Sequence, residues 1–167
     1  MAVGGKGIFD VTMKCDDNMK TTTSQYMCVG FAGGTTTLSR FGQVTGDTGT
    51  YAEPTGASNY AIGINQSYLS SGSEDFTVRM LGYSKAVCAD SVTAGSFVRA
   101  YQGISTTSMI GRIVEVTDRA TSSAATMSLC SHTVILGRAM ENGQTGSVIN
   151  VFLNPQLYDN NLVASTT

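Results

Sequence analysis

Residues 76–81 read Phe-Thr-Val-Arg-Met-Leu, and their alternation decides the fold class. Phe76, Val78 and Met80 fall on one side of an extended chain, with Arg79 on the other. Successive side chains of a strand point to opposite faces, so the pattern is that of a sheet with one buried face. The same period of two recurs in both directions along the chain. Residues 8–13 set Phe9, Val11 and Met13 against Ile8, Asp10 and Thr12. Residues 26–31 align Met27, Val29 and Phe31, and residues 60–65 align Tyr60, Ile62 and Ile64. Further strands are predicted at 85–89, 96–101, 110–117, 133–140 and 147–153, the last with Ile149, Val151 and Leu153 on one face.

Turn chemistry separates these runs: Gly33-Gly34, Gly46-Asp47, Ser71-Gly72, Ala94-Gly95, Asn142-Gly143 and Asn154-Pro155. Gly and Asn supply the positive φ that tight connections require. Short strands with turns between them predict a mainly β fold: a small β-barrel or sandwich of about eight to ten short strands with long loops and an N-terminal arm. The best helical stretch is 118–130, where Asp118 would cap, and it reads equally well as an exposed loop. The sequence shows no repeat of fixed period and no linker dividing two domains. Its organisation reads as an arm and first strand over 1–20, a single β domain over 21–160 and a polar tail over 161–167. Residues 45–59 are the most loop-like segment.

Composition narrows the function. Hydrophobic residues make up 41% of the 167, enough for a substantial core, while charged residues make up only 13%. The usual charged share is about 25%, and exposed helices depend on it. The net charge is −2, with a sequence pI of about 5.2 and no run of Lys and Arg, so direct nucleic-acid binding is not expected. No apolar stretch approaches the ~20 residues of a membrane-spanning helix, and no apolar region follows the opening MAVGGKGIFD, so neither a membrane partner nor an export signal is expected. Cys15, Cys28, Cys88 and Cys130 form no C-x-x-C pair and read as small apolar strand residues, reduced in a cytosol.

The chemistry-bearing residues do not assemble into a motif. His132 is the single histidine, and no G-x-S-x-G elbow precedes it. Cys130 would share a strand face with it, but no third group is at hand to orient a thiol–imidazole pair. Cys15-Asp16-Asp17-Asn18 gathers oxygen ligands without calcium-loop spacing and reads as an acidic turn. Gly4-Gly5-Lys6-Gly7 lacks the spacing and preceding strand of a phosphate loop. The expectation is a chain that is not an enzyme, with no catalytic, metal or cofactor site. Tyr26, Tyr51, Tyr60, Tyr68, Tyr83, Tyr101 and Tyr158 would cap a core at its wet edge or form a binding platform.

Three stretches carry a family resemblance. YAIGINQSYLSSGSEDFTVRMLGYSKAV (60–87) has a Gly-plus-aliphatic strand, a polar turn and then a strand ending in Gly. CADSVTAGSFVRAY (88–101) enters a turn, passes Ala-Gly and becomes a strand. VILGRAMENGQTGSVINVFLNP (134–155) runs from a Gly-Arg-Ala strand through a turn to an apolar strand. In these the chain resembles the capsid decoration proteins of tailed phages, also called cement or head-stabilising proteins. The resemblance implies a barrel-like core without enzymatic activity, made in the host cytoplasm and carried on the virion's capsid surface. It implies the major capsid protein as partner and self-association as a trimer. The expected contact regions are the 1–20 arm and the loops 45–59 or 103–132, with Lys6, Ile8, Phe9, Tyr51 and Pro54 as candidate contact residues. The alternatives are another virion component (minor coat, tail or fibre protein), a ligand-binding β module that recognises sugar, or an enzyme built around His132.

Overall fold

A computed structural model of the chain describes residues 8–14, 25–31, 38–40, 61–68, 75–101, 109–116 and 132–159. They form nine strands: β1 (Phe9–Lys14), β2 (Cys28–Phe31), β3 (Leu38–Arg40), β4 (Ala61–Asn65), β5 (Asp75–Val87), β6 (Phe97–Ala100), β7 (Ile113–Glu115), β8 (His132–Ala139) and β9 (Val148–Asp159). The sheet runs β3-β2-β4-β5-β9-β8-β6-β7, and β1 pairs separately with β5. A parallel bridge between Cys88 and Ile113 ties β7 back to the end of β5. The Ala89 amide donates to the Ile113 carbonyl at 2.8 Å beside it. Strands β5, β9, β8, β6 and β7 thereby curl into a nearly closed, barrel-like wall. The mainly β prediction holds. The 118–130 stretch, the 45–59 loop, the 161–167 tail and the turns at Gly33-Gly34, Gly46-Asp47 and Ser71-Gly72 lie outside the described residues.

Strand β5 belongs to both parts of the sheet. Its first half pairs with β1 and β4, and its second half, from Gly82 to Val87, with β9. The sequence reading places two strands here, 76–81 and 85–89. The structure has one of 13 residues, bent at Gly82, whose φ of 96° allows the chain to change direction without ending. Even-numbered side chains stay inward throughout. Phe76 and Val78 join Val29 in a small cluster edged by Met13, Ile62 and Met80. Ala86 and Cys88 enter the main core with Ile64, Val98, Ile113, Leu136, Ile149, Val151 and Leu153.

Bulges account for the other departures from simple alternation. Val29 pairs with Gly63 and Gly30 with Ala61, leaving Ile62 as an extra residue in β4. Ile62 therefore packs on the small cluster while Ile64 enters the main core, so the predicted shared face of Ile62 and Ile64 is split. Asn154-Pro155 is not the expected turn, since β9 continues to Asp159. Ile135 pairs with Gln156 and Gly137 with Leu153, so two residues of β9 stand against Leu136 alone. The missing N–H of Pro155 falls where the ladder is already interrupted. The 110–117 prediction shrinks to β7, because Met109–Gly111 form a tight turn closed by the Arg112 amide on the Met109 carbonyl at 3.1 Å.

The barrel also contains an internal symmetry that the sequence reading did not find. Val92 and Gly143 exchange both backbone hydrogen bonds, at 3.0 and 2.9 Å. Around that bridge the backbone contacts of the two turns match in pairs. The Gly95 amide donates to Ala139, and the Gly146 amide to Cys88, both at 2.8 Å. The Ala139 amide donates to Ser96 at 3.0 Å, and the Cys88 amide to Ser147 at 2.8 Å. The turn Thr93–Ser96, with Gly95 at φ 87°, matches the turn Gln144–Ser147, with Gly146 at φ 82°. The predicted Asn142-Gly143 turn thus lies slightly later, and Gly143 belongs to the bridge. Each strand leading into one turn pairs with the strand leaving the other, β5 with β9 and β8 with β6. Between 87–101 and 138–152 only the Gly-Ser of each turn is identical, so geometry reveals the repeat and spelling conceals it.

Close approach explains two strand glycines. A Cβ at Gly63 would stand 2.5 Å from the Arg79 carbonyl oxygen and 2.7 Å from Val78 Cγ1, and one at Gly137 would collide with the Phe152 carbonyl. Gly63→Ala and Gly137→Ala are each expected to cost about 3 kcal/mol or more through overpacking. Gly95 has nothing within 4 Å, and Gly95→Ala is expected to cost only about 1–2 kcal/mol through its positive φ. Urea unfolding midpoints of the three variants should fall in that order.

Candidate functional site

The inward alternation that fills the core turns the intervening residues outward, and on the barrel wall three of these, Tyr83, Phe97 and Phe152, are aromatic. Phe97 in β6 pairs with Arg138 in β8, Arg138 with Phe152 in β9, and Phe152 with Tyr83 in β5. Directly opposed residues of neighbouring strands share a face with Cβ atoms about 5 Å apart. The four side chains therefore form one row across four strands. All four are exposed, Tyr83 at 57%. Tyr83 and Phe152 meet edge to face, with ring centroids 5.2 Å apart and planes at 69°. The Arg138 guanidinium lies 4.1 Å from the centroid of the Phe97 ring, and its Nη1 donates a long bond of 3.4 Å to the Gly95 carbonyl.

A second row lies beside the first. Lys85 opposes Asn150, and its Nζ stands 5.6 Å over the Tyr26 ring. Asn150 is held by Glu141, whose Oε1 accepts from its backbone N–H at 2.6 Å and its Nδ2 at 3.0 Å. Met140 and the opposed pair Val87–Val148 continue the face, with Met140 and Val148 well exposed. At the other margin a bulge between Phe9 and Asp10 turns Phe9 outward, opposite exposed Leu81. Arg79 closes that margin by donating from Nε and Nη2 to the two Asp10 oxygens, each at 2.7 Å, and from Nη1 to the Tyr83 carbonyl at 2.7 Å.

Of the predicted contact residues, Ile8 and Phe9 are exposed beside this face, while Lys6, Tyr51 and Pro54 lie outside the described residues. The 1–20 arm is described only over 8–14, and the 103–132 region only over 109–116 and at His132. His132 pairs along the backbone with Asp159, and its side chain lies outside the described residues, as do Cys130 and the whole Cys15–Asn18 turn. Of the tyrosines, Tyr83 enters the row, Tyr26 underlies Lys85 and Tyr68 is exposed; Tyr51 and Tyr60 lie outside the described residues. Sequence reasoning did not single out Phe97, Arg138 or Phe152. The signal was present in 147–153: placing Ile149, Val151 and Leu153 inward sends Val148 and Phe152 outward, and such a strand is apolar on both faces.

Among the described residues no three of His, Cys, Asp and Glu gather as a metal site would require, and no helix is long and apolar enough to cross a membrane. Cys28 and Cys88 are free and buried. Burial pushes the Cys28 thiol up to about 12, and burial, with the Glu141 charge, raises Cys88. Thiolates are the reactive form, so these two are unreactive while the barrel is folded. Glu115 plays a different part. It accepts the Ser96 hydroxyl at 2.8 Å and the Thr93 amide at 3.0 Å, fixing the turn whose Gly95 carbonyl receives Arg138.

No family model matches the chain, and no curated protein matches it in sequence. Among solved structures it is similar to the N base of the head fiber gp8.5 in bacteriophage phi29. The two share 14% identity, the match covers 88% of this chain and 94% of that one, and the TM-score is 0.47. That is a loose likeness, and the fold described above stands on its own strand pairing.

Two outcomes are expected. The Ser96 and Thr93 hydrogen bonds hold the Glu115 carboxyl below its ordinary value, and the Arg79 hydrogen bond and charge do the same for Asp10. Groups with lowered folded values stabilise the fold above their ordinary range and lose that contribution as pH falls through the folded value. Thermal midpoints should drop from about pH 5 downward, and Glu115→Gln should make the drop shallower. Iodoacetamide should leave Cys28 and Cys88 unmodified in native protein and label both in urea, as read by peptide mass spectrometry.

Proposed function

We propose that this chain is a structural protein of a phage particle, one that attaches to the outer surface of the assembled shell and holds its subunits together. The observation that carries this reading is the outward aromatic row Tyr83–Phe152–Arg138–Phe97, built on paired strands and continued by Leu81, Met140 and Val148. An apolar face of this extent is a liability for a free molecule and an asset for one packed against neighbours. Interfaces are enriched in Tyr, Phe, Met and Arg at their centres, and four of those residue types meet here. Low charge over the whole chain weakens repulsion between copies set side by side. The likeness of residues 60–87, 88–101 and 134–155 to phage decoration proteins supplies the kind of lattice.

On this reading the partner is the major capsid protein, the protein self-associates as a trimer, and no reaction is catalysed. The protein stabilises the shell because it binds the closed, expanded lattice better than any open or compact form. A specific contact of this kind buries on the order of 1,200–2,000 Å².

The direct test is to mix purified protein with undecorated shells of its own phage and image the particles. Added density at symmetry-related positions is expected, and shells that stay bare at micromolar protein would refute the reading. The double variant Tyr83→Ser/Phe152→Ser should weaken shell binding about a hundredfold, a loss of ~3 kcal/mol, while its thermal midpoint stays within a few degrees.

A further inference from the structure

We infer that the aromatic face recognises an acidic protein surface, with Arg138 as its central anchor and Lys85 as a second cationic contact. This deepens the proposed attachment role and rests on it. The argument starts from how the cations are held. Arg79, at the margin, is neutralised by both oxygens of Asp10. Arg138 and Lys85 have no carboxylate partner among the described residues. Each is held instead by a ring: Arg138 against Phe97 at 4.1 Å, Lys85 over Tyr26 at 5.6 Å. A ring orients a cation without cancelling its charge.

The positions of the two cations sharpen the inference. They stand two strands apart, roughly 10 Å between strand axes, with the Phe152 and Asn150 positions between them. The Arg138 guanidinium lies over the Phe97 ring and donates one long bond, 3.4 Å, to the Gly95 carbonyl. Its in-plane N–H groups suit a carboxylate, which they grip in pairs. Glu141 accepts from the Asn150 backbone and side chain. On a chain of net charge −2 this face combines exposed apolar area with two cations that have no ion-pair partner among the described residues, beside one carboxylate, Glu141, held by a neutral amide. Its complement is a protein surface that offers Asp or Glu carboxylates among apolar side chains.

The experiment measures binding of labelled protein to undecorated shells by co-sedimentation from 50 to 500 mM NaCl. It compares wild type with Arg138→Gln, Arg138→Lys and Lys85→Gln, each checked by thermal melting. Arg138→Gln should weaken binding at least about tenfold at low salt, and Arg138→Lys, which keeps a charge without the planar fork, by less. The Arg138→Gln/Lys85→Gln double variant should show a flatter salt dependence. Wild-type binding that neither substitution changes overturns this inference and leaves the attachment reading standing. Shells left bare by wild type overturn both. Two further arms identify other occupants: a fluorescent dT20 strand that competes with shells for this face, or self-association in sedimentation equilibrium that Arg138→Gln abolishes. Either result overturns an acidic protein as the partner.

Discussion

The two hydrogen bonds between Val92 and Gly143 hold the barrel in register. From that bridge outward, β5 can meet β9 and β8 can meet β6 in one alignment only, because a slip by a single residue would exchange buried and exposed faces. The core depends on this: Val98, Ile149, Val151 and Leu153 face inward in the observed register and would face water in the next. The outer face depends on it equally. Phe97, Arg138, Phe152 and Tyr83 come from four strands, and their row exists because the alignment puts them opposite one another.

Much of this fold was legible in the alternation of single segments. Phe76, Val78, Ile149, Val151 and Leu153 lie inward as their spacing indicates, and Arg79 lies outward. What escaped was everything decided between strands. Gly82 reads as a terminator, but its positive φ lets β5 continue through a bend. Pro155 reads as the end of a strand, but a bulge opposite Leu136 absorbs it. Strand β3 is three residues long and too short to display a period. The candidate surface was legible only in fragments. Phe9 and Tyr83 stand out singly in the sequence, whereas Arg138 owes its importance to Phe97, a residue far upstream that the register brings beside it.

The polar seams show how a chain with so few charges keeps its parts aligned. Asn65 is fully buried, yet its Nδ2 donates to Ser67 and its Oδ1 accepts the Ser67 amide. Gln66 donates to Ser84 Oγ and to the Ile64 carbonyl, linking β4 to the middle of β5. Buried groups satisfied by amides and hydroxyls carry no net charge to desolvate, so they join the two parts of the sheet at less cost than ion pairs would.

The exchanged strands also bear on time. Val87 meets Val148, and Phe97 meets Arg138, so the contacts that define the barrel join segments distant along the chain. Neither half has its partner strand until the other has arrived, and topologies of this sort cross a high entropic barrier and fold slowly. Contacts that form after the barrier must break before it is recrossed, which slows unfolding as well. Such a molecule owes its endurance as much to the rarity of opening as to the depth of its energy minimum.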